Sequence, residues 1–273
     1  MKVFCPTSCQ RMSAFEVPKL FPDDWKFFFV VDQHSDPYPF IAKGHRVVRV
    51  HIEDDCRSTR LAEIRNKIEA QVELGEWFIE VDDDIQGITM LDPAMQRVYE
   101  DHLDYDDWSA REWHEWFSHR ATPAEVRTIF YELITECERL GTIYGGCSFF
   151  DNPFYRKKKF AHASYVNGGL HAKRKDGRRW RWTPHEDMEM SCYALSLYGA
   201  SVVHRWAHGL FKDSSEGGVG TFTEEWVEKS EERIPLLLRA YPGLIKRLGP
   251  HRLKITKNSL KSVENWRRQY ESR

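Results

Sequence analysis

Residues 77–85 read WFIEVDDDI, an apolar run that ends in three consecutive carboxylates. Tryptophan, phenylalanine, isoleucine and valine in so short a run are typical of a buried strand. Asp82, Asp83 and Asp84 then fall at the carboxyl end of that strand, where open α/β sheets bind their ligands. Because adjacent carboxylates repel one another, a divalent cation that itself holds a diphosphate would satisfy their charge. The alternative is a solvated acidic turn.

The sequence around this strand predicts the outline of a nucleotide-binding α/β half-domain. Strands are predicted over residues 2–5, 27–31 and 47–51, because each is a short apolar run bounded by turn-forming residues. Apolar residues at helical spacing predict a helix over residues 60–74, with Gly75 as its C-cap. We therefore expect an α/β fold with a mixed central sheet flanked by helices.

The second half of the chain carries two clear helix starts. Residues 122–125 read TPAE and residues 183–186 read TPHE, and both match the capping pattern of threonine, proline and a glutamate three residues on. The first helix is expected to end at Gly141 and the second at Gly199. The remaining predicted elements are strands over residues 142–150, 164–170 and 200–206 and a helix over residues 222–241.

The composition indicates a folded globular protein. The chain has 273 residues, of which 41% are hydrophobic and 30% charged, and these are ordinary values. No apolar stretch is long enough to span a bilayer, and the six cysteines form no CxxC pair. We expect reduced thiols, a cytoplasmic location, no membrane partner and no zinc site. We predict a domain over residues 1–210 with an acidic, aromatic insertion at about 91–120, and a basic helical extension over residues 211–273 packed on it.

The formal net charge of −2 conceals a strong segregation of charge. Residues 73–115 are acidic, whereas residues 156–181 and the tail from Arg239 onward are basic. Basic blocks suggest contact with a phosphate backbone, and Trp180 and Trp182 alternate with arginines in a pattern that suits base stacking. The alternatives are a solvated basic loop and tryptophans that anchor the core. The candidate DNA contacts are Arg156, Lys157, Lys158, Lys173, Arg174, Arg178, Arg179, Trp180 and Arg181.

The order of these parts resembles a GT-A glycosyltransferase, in which an acidic motif follows a nucleotide-binding half and precedes an acceptor half. A more specific resemblance is carried by residues 60–67, RLAEIRNK, residues 75–77, GEW, and residues 81–85, VDDDI. These are similar to the TET/JBP-associated glycosyltransferases, the phage and kinetoplastid enzymes, including the base-J glucosyltransferase, that add a sugar to a hydroxymethylated pyrimidine in DNA. The other matching elements are residues 3–11, 167–169 and 185–187.

The resemblance implies a divalent metal, Mn²⁺ or Mg²⁺, and a UDP-sugar donor. Asp84 is the implied metal ligand, Asp82 lies on the ribose side or shares the metal, and Asp83 is donor-binding in an ambiguous role. A third metal ligand in such enzymes is often a downstream histidine, for which His208 is preferred to His204. A histidine with a purely structural role is the alternative.

The resemblance also implies donor-binding roles for a helix and a glycine pair. Arg65, and more weakly Arg60, would reach the donor diphosphate, a task that suits a bidentate guanidinium. An exposed helix charge is the alternative. Gly168 and Gly169 would bring the backbone close to the donor sugar, or would simply form a turn.

The implied catalytic residues lie at the start of the helix after residue 185. One general base must remove the proton from the attacking hydroxyl as the sugar bond breaks. Asp187 is the first candidate. Glu186 is the second, because a capping box would already explain a glutamate at that position.

These observations predict an enzyme, a metal-dependent nucleotide-sugar hexosyltransferase. It would move a sugar, with glucose expected, from a UDP-sugar to 5-hydroxymethylcytosine or 5-hydroxymethyluracil in double-stranded DNA, in the cytoplasm of a bacterial or phage-infected cell. The alternatives are a GT-A enzyme with a glycan, lipid or protein acceptor, a non-catalytic nucleic-acid-binding module with a degenerate transferase fold, and a nucleotidyltransferase. The intact acidic triplet argues against the non-catalytic module.

Overall fold

The computed structural model describes residues 1–7, 12–53, 60–92, 118–148, 158–181, 183–212 and 224–272. Its strands form one large mixed sheet with helices on both faces, together with a separate two-stranded sheet near the C-terminus. The α/β class and the mixed central sheet are therefore confirmed. The predicted insertion falls mainly on residues 93–117, which lie outside the described residues, as do Arg156, Lys157 and Trp182.

The N-terminal half is a parallel sheet in the order β3-β2-β1-β4. Its elements are β1 (Lys2–Pro6), a 3-10 helix (Met12–Leu20), β2 (Lys26–Asp32), α1 (Tyr38–Ala42), β3 (Arg46–Val50), α2 (Leu61–Glu69) and β4 (Trp77–Val81). All four predicted strands are present. Helix α2 is shorter than the predicted helix over residues 60–74, because the chain leaves the helix at Ala70 and continues in turns to Gly75, which has a φ of 84°.

The second half extends the same sheet in the order β4-β9-β7-β10-β5-β6. Its elements are β5 (Ile85–Leu91), β6 (Ser118–Arg120), α3 (Pro123–Arg139), β7 (Tyr144–Ser148), β8 (Phe160–Ala161), β9 (Leu170–Arg174), α4 (Glu186–Tyr198) and β10 (Val202–Phe211). Strand β9 runs antiparallel to both of its neighbours, β4 and β7. The short strand β8 also pairs with β10, but it is not part of this linear strand order.

The strand predicted over residues 164–170 is wrong, since the sheet is entered only at Leu170. The backbone N–H of Ser164 donates to the Ser201 hydroxyl at 3.2 Å, and that of Val166 donates to the Ser191 hydroxyl at 3.0 Å. Serine side chains therefore take the donors that a strand would offer to a neighbouring strand. Strand β5 was not predicted, because its sequence follows the acidic turn without alternation.

The alternating side chains of the central strands pack against different helices. Phe78 of β4 joins Ile64 and Ile68 of α2 on one face of the sheet, whereas Ile79 joins Phe130 of α3 on the other face. Burial of apolar area on both faces stabilises the layers at about 25 cal/mol per Å². The carboxyl ends of β1 and β4 meet where the strand order reverses, which is the position at which open α/β sheets bind ligands.

The two predicted capping patterns have different outcomes. At α3 the capping box is confirmed, because the Thr122 hydroxyl accepts from the Glu125 N–H and the Glu125 carboxylate accepts from the Thr122 N–H. At α4 the prediction is wrong. Thr183 instead accepts the N–H of Ala62, in the first turn of α2, at 2.8 Å. Helix α4 starts after His185, which has a φ of 81° and makes no side-chain cap.

The C-terminal part packs on α4. It comprises α5 (Glu224–Ala240), β11 (Ile245–Gly249), β12 (Arg252–Ile255) and α6 (Leu260–Glu271). Leu237, Ile255 and Trp266 from these elements share a core with Cys192 and Leu195 of α4. In the part of the chain that the structure describes, no helix has both the length and the apolar character needed to cross a bilayer.

The capping box of α3 gives a direct test of this helix start. We expect Thr122→Ala to lower the free energy of unfolding by about 1 kcal/mol, because the N–H of Glu125 loses its acceptor. Thr128→Ala is the matched control, since the Thr128 hydroxyl donates to the Ala124 carbonyl of the same helix and alanine has the higher helix propensity. Urea unfolding of both variants checks the prediction. Equal destabilisation of the two would contradict it.

Candidate functional site

The acidic turn after β4 is fixed by contacts to three other segments. The Thr7 hydroxyl, at the end of β1, donates to Asp83 Oδ2 at 2.8 Å. The Asp82 N–H donates to the Gly169 carbonyl at 2.9 Å, and the Asp84 carbonyl accepts from the Lys212 N–H at 2.9 Å. The triplet therefore lies where β1, β4, the turn before β9 and the end of β10 converge. Asp83 is buried, whereas Asp82 and Asp84 are partly exposed.

Arg65 of α2 is the cation at the centre of this region. Its guanidinium lies 3.4 Å from Glu80 Oε2 of β4 and 3.3 Å from Glu186 Oε1 of α4. Nη2 donates to the Gly168 carbonyl at 3.2 Å, and the guanidinium carbon lies 4.7 Å from the centre of the Trp180 ring. Only 2% of Arg65 is exposed. The side chain thus joins α2, β4, the turn before β9 and α4.

The glycine at position 168 is required by this close approach. A Cβ atom added to Gly168 would lie 2.5 Å from Arg65 Nη2, so any side chain would displace the guanidinium. Gly169 is a hydrogen-bond acceptor for the Asp82 N–H. The pair therefore connects the acidic turn to Arg65. Their predicted contact with a donor sugar stays a prediction.

Glu186 and Asp187 occupy the first turn of α4 in different surroundings. Glu186 is 7% exposed and pairs with Arg65. Asp187 is partly exposed, and its Oδ2 accepts the hydroxyl of Tyr165 and, at 3.4 Å, the N–H of Gly168. The capping-box explanation of Glu186 is excluded, since Thr183 caps α2 instead. Glu186 is therefore explained by its pairing with Arg65.

Several carboxyl groups around Arg65 hold a proton more tightly than usual. Burial raises the pKa of Glu80 to about 8, and Arg65 offsets this only in part. Burial and the negative charges of Asp84 and Asp83 raise the pKa of Asp82 to about 7 in spite of Arg65. Burial and Asp187 likewise raise the pKa of Glu186 to about 7. Groups that exchange a proton near neutral pH at a ligand-binding edge are candidates for acid–base chemistry.

A neutral shell surrounds the charged groups. Burial and the positive charge of Arg65 hold the pKa of His171 well below its usual value, and its Nδ1 lies 2.9 Å from the Gly168 carbonyl. Burial raises the pKa values of Tyr144 and Tyr165 well above the ordinary tyrosine value. These side chains carry no net charge at neutral pH. The electrostatics of the site therefore depend on the Arg65 guanidinium, on buried Lys173 and on the carboxylates around them.

The placement of Arg65 corrects its predicted role. A guanidinium this deeply buried is not an exposed helix charge, and its protein contacts assign it to positioning carboxylates and not to direct contact with a diphosphate. Arg60 lies nearer the surface at the start of α2. Its Nη1 lies 2.7 Å from Asp32 Oδ2 at the carboxyl end of β2. Arg60 and Asp32 therefore lie at the carboxyl edge of the sheet, next to the end of β1.

Asp82 and Asp84 are the two partly exposed carboxylates of the acidic turn, and they are the residues that would hold a divalent cation there. Among the described residues, no group of three or more His, Cys, Asp or Glu side chains is arranged to hold a metal. Mg²⁺ commonly uses one or two carboxylates and takes its other ligands from substrate phosphates and water. The repulsion that raises the pKa of Asp82 would be relieved by such an ion. The residues present therefore fit a shared cation.

The two histidines predicted as metal ligands lie elsewhere. His208 pairs with Thr89, five residues beyond Asp84 in the chain, a separation of roughly 15 Å in an extended strand. Its Nδ1 lies 3.2 Å from the Ser148 carbonyl. His204 is fully buried, with Nε2 3.2 Å from Glu132 of α3. The structure does not bring either histidine to the acidic turn.

Two of the predicted DNA contacts are wrong, because the side chains are buried. Lys173 is fully buried and pairs with Glu69 at 2.7 Å. Trp180 is 3% exposed, and its indole N–H donates to the same carboxylate at 2.5 Å. Trp180 is therefore a core anchor, the alternative that the sequence left open.

Two further cations of the same basic segment are compensated within the protein. Arg178 and Arg181 both pair with Glu189 Oε1, at 2.7 and 2.5 Å. Glu189 is itself fully buried on α4 and also accepts the hydroxyl of Tyr241. Lys158 and Arg179 are exposed, and Arg174 is partly exposed over the Trp77 ring. The segment thus offers less free positive charge than its sequence suggests.

Four residues of this region were missed by sequence reasoning. Glu80 carried a signal, since an acidic residue in an otherwise apolar buried strand requires a partner. Asp32 carried another, because an acidic residue at the end of the second strand is the usual ribose contact of nucleotide-binding sheets. Thr7 and Tyr165 carried none, because their partners are distant in sequence.

Comparison with known proteins adds no assignment: no protein-family model matches the chain, and no curated protein shows significant similarity to it.

The raised pKa of Glu80 predicts a pH-dependent stability. The folded protein keeps a proton that the unfolded chain releases above pH 4.5, so stability should fall as pH rises from there through about 8. One such group contributes at most about 1.4 kcal/mol per pH unit. We expect Glu80→Gln, which cannot ionise, to flatten this slope. Unfolding in urea at several pH values between about 5 and 8 measures it.

Glu76→Gln is the matched control for this experiment. Burial opposes the charge of Glu76, but hydrogen bonds from the Glu73 N–H and from Lys2 lower its pKa, so its own contribution lies below pH 4.5. The control should leave the slope above that pH unchanged. A slope that is equally steep in wild type and Glu80→Gln would refute the assignment of a raised pKa to Glu80.

Proposed function

We propose that this chain is a nucleotide-sugar glycosyltransferase whose active site lies at the carboxyl edge of the sheet. The observation that carries the proposal is the convergence of the acidic turn with the carboxylates of α4 around one buried guanidinium. Asp82 and Glu186 both act on Arg65, although they lie on different elements far apart in sequence. The site therefore has an acidic edge suited to a metal-bound diphosphate beside a second pair of carboxylates suited to proton transfer.

The sheet topology supports a GT-A-like interpretation of the fold. The order β3-β2-β1-β4 is that of a nucleotide-binding half, and the switch point lies between β1 and β4. The acidic turn follows β4 at this point. The elements that carry Glu186 and Asp187 come from the second half of the chain. In this interpretation, a donor half and an acceptor half meet at one edge of the sheet.

The donor would lie across the ends of β1, β2 and β4. Asp32 and Arg60 form the outer wall of this position, and Asp83 is fixed by Thr7. Asp84 and Asp82 would hold the divalent cation, which supplies charge neutralisation for the leaving diphosphate. Arg65 lies behind them and orients Glu80 and Glu186. We expect a UDP-sugar, with glucose as the sugar.

In the transfer step, the general base is a residue of α4. The acceptor hydroxyl oxygen attacks the anomeric carbon, the bond from that carbon to the diphosphate oxygen breaks, and UDP leaves with the electron pair. The hydroxyl proton passes to Asp187, which is more exposed than Glu186 and is oriented by Tyr165 and the Gly168 N–H. Glu186 remains paired with Arg65. The order of preference from the sequence, Asp187 before Glu186, is therefore retained.

The acceptor that we propose is a 5-hydroxymethylpyrimidine, 5-hydroxymethylcytosine or 5-hydroxymethyluracil, in double-stranded DNA. Its support is the resemblance of the acidic-turn region to enzymes that modify such bases. The internal compensation of Lys173, Arg178 and Arg181 favours a second candidate, the same transfer to a glycan, lipid or protein acceptor.

The transfer reaction itself is tested with radiolabelled UDP-glucose, Mn²⁺ or Mg²⁺ and two matched duplexes. One duplex carries 5-hydroxymethylcytosine and the other cytosine. We expect label only in the modified duplex and none with Asp84→Asn, because the cation loses a ligand. Asp23→Asn, an exposed residue outside the site, should retain activity. UDP release without labelled DNA would favour another acceptor. Full activity of Asp84→Asn would exclude the proposed metal site.

The general base is tested by two single substitutions. We expect Asp187→Asn to lower kcat by about 10² to 10⁴, the usual contribution of a general base, with little change in KM for the UDP-sugar. Steady-state kinetics and circular dichroism of the variants check both activity and folding. If Asp187→Asn stays active while Glu186→Gln does not, the base is Glu186 and the assignment above is wrong.

A further inference from the structure

The hairpin formed by β11 and β12 has one face in the core and one face in solvent. Ile245 and Ile255 are paired in register and buried against α5 and α6. Because side chains alternate along a strand, the next pair, Lys246 and Lys254, points to the opposite face, where both are exposed. Arg252 lies exposed on β12 near the turn. The outer face therefore carries three cations within a few residues.

The charge of this hairpin is not balanced locally. Residues 242–263 contain six lysines and arginines and no aspartate or glutamate. Lys246 and Lys254 stand directly opposite each other, an arrangement that is destabilising for like charges. Among the described residues, no carboxylate forms an ion pair with either lysine. Arg247 differs, since it pairs with Glu231 of α5 at 2.7 Å. A bound polyanion would offset the repulsion.

The turn of the hairpin lies close to the candidate site. The ring of His251, in this turn, lies 5.7 Å from the ring of Trp226, which lies 5.6 Å from the ring of His185. His185 precedes Glu186, and its Nε2 lies 2.8 Å from the Ser230 hydroxyl of α5. The turn of the hairpin therefore lies near the start of α4, with Trp226 between the two histidine rings.

We propose that the outer face of the β11–β12 hairpin, with Lys246, Arg252 and Lys254, is a docking surface for the phosphate backbone of double-stranded DNA. The inference rests on the proposed function in one respect, namely that DNA is the acceptor and would be present at the site. A two-stranded ribbon has the size that a major groove admits, and lysines and arginines on its face match the backbone charge. This surface replaces the compensated segment at residues 173–181 as the main DNA contact.

The choice of DNA follows from the geometry of the charge. The exposed cations lie on a two-stranded ribbon and not on an apolar helix face of the kind that inserts into a lipid interface. Leu248 is the exposed apolar residue of β11, with 57% of its surface accessible. Backbone phosphates require no further apolar contact. An anionic membrane is therefore kept as a competing outcome of the test.

The test measures binding of the full-length protein to a fluorescent, unmodified duplex by anisotropy over a range of salt concentrations. The variant is Lys246→Ala with Lys254→Ala. The control is Lys19→Ala with Lys26→Ala, which removes the same charge from exposed positions in the N-terminal half. Thermal unfolding verifies that both proteins are folded, and Lys→Gln replacements at the same positions serve if the alanine variant is unstable.

We expect the hairpin variant to bind about tenfold more weakly near physiological salt, with the slope of log K against log salt smaller by about 2. The control should match wild type. Binding that is unchanged in the hairpin variant, or no binding by wild type, overturns the proposal. Hairpin-dependent binding to phosphatidylserine vesicles with hairpin-independent DNA binding overturns it in favour of a membrane.

The two proposals fail in different ways. Hairpin-dependent DNA binding without any sugar transfer would contradict the proposed function and support the docking surface. Transfer to hydroxymethylated DNA with equal KM for DNA in the hairpin variant and the control would support the function and overturn the docking surface. The unmodified duplex keeps the binding measurement independent of catalysis.

Discussion

The buried guanidinium of Arg65 is the interaction on which the site depends. Its contacts to Glu80, Glu186 and the Gly168 carbonyl join the two halves of the chain. Burial disfavours its charge, but Glu186 and Glu80 outweigh burial and raise the pKa of Arg65 above its ordinary value. Removing one partner of such a buried pair typically costs about 3–5 kcal/mol. The positions of the surrounding carboxylates therefore depend on this single cation.

The excess of carboxylates over cations at this edge is a source of chemistry and of instability. Asp82 and Glu186 both have pKa values raised to about 7, so their charge changes within the physiological range. A divalent cation or a proton would relieve the same repulsion. The acidic edge therefore carries carboxylates whose charge either a cation or a proton would neutralise. This combination, and not any one aspartate, supports the transferase proposal.

The sequence predicts the elements whose patterns are local. Strands β1 to β4 are short apolar runs, and α3 has its capping box in adjacent residues, so both could be found without tertiary information. The acidic turn was also located correctly relative to β4. At Thr183 the same capping pattern serves a different helix, because the Thr183 hydroxyl accepts the N–H of Ala62.

The site could be predicted in its acidic half but not in its ionic centre. Trp180 sits in a basic run that resembles a surface segment, yet its indole N–H is bound to buried Glu69. Arg65 resembles an exposed helix charge until β4 and α4 are placed beside it. Ion pairs between distant residues leave no period in the sequence, so hydropathy patterns do not reveal them. The buried glutamate in β4 was the one visible indication.

The cap that Thr183 provides for α2 has a consequence for the order of folding. The Ala62 N–H and the Thr183 hydroxyl are 121 residues apart in the chain. Closing so long a loop costs entropy before the contact stabilises anything, so such contacts form late. As the chain emerges from the ribosome, β1 to β4 can assemble before α2 receives its cap and Arg65 its second carboxylate. The N-terminal half thus acquires its final charge balance only when the second half of the chain has folded against it.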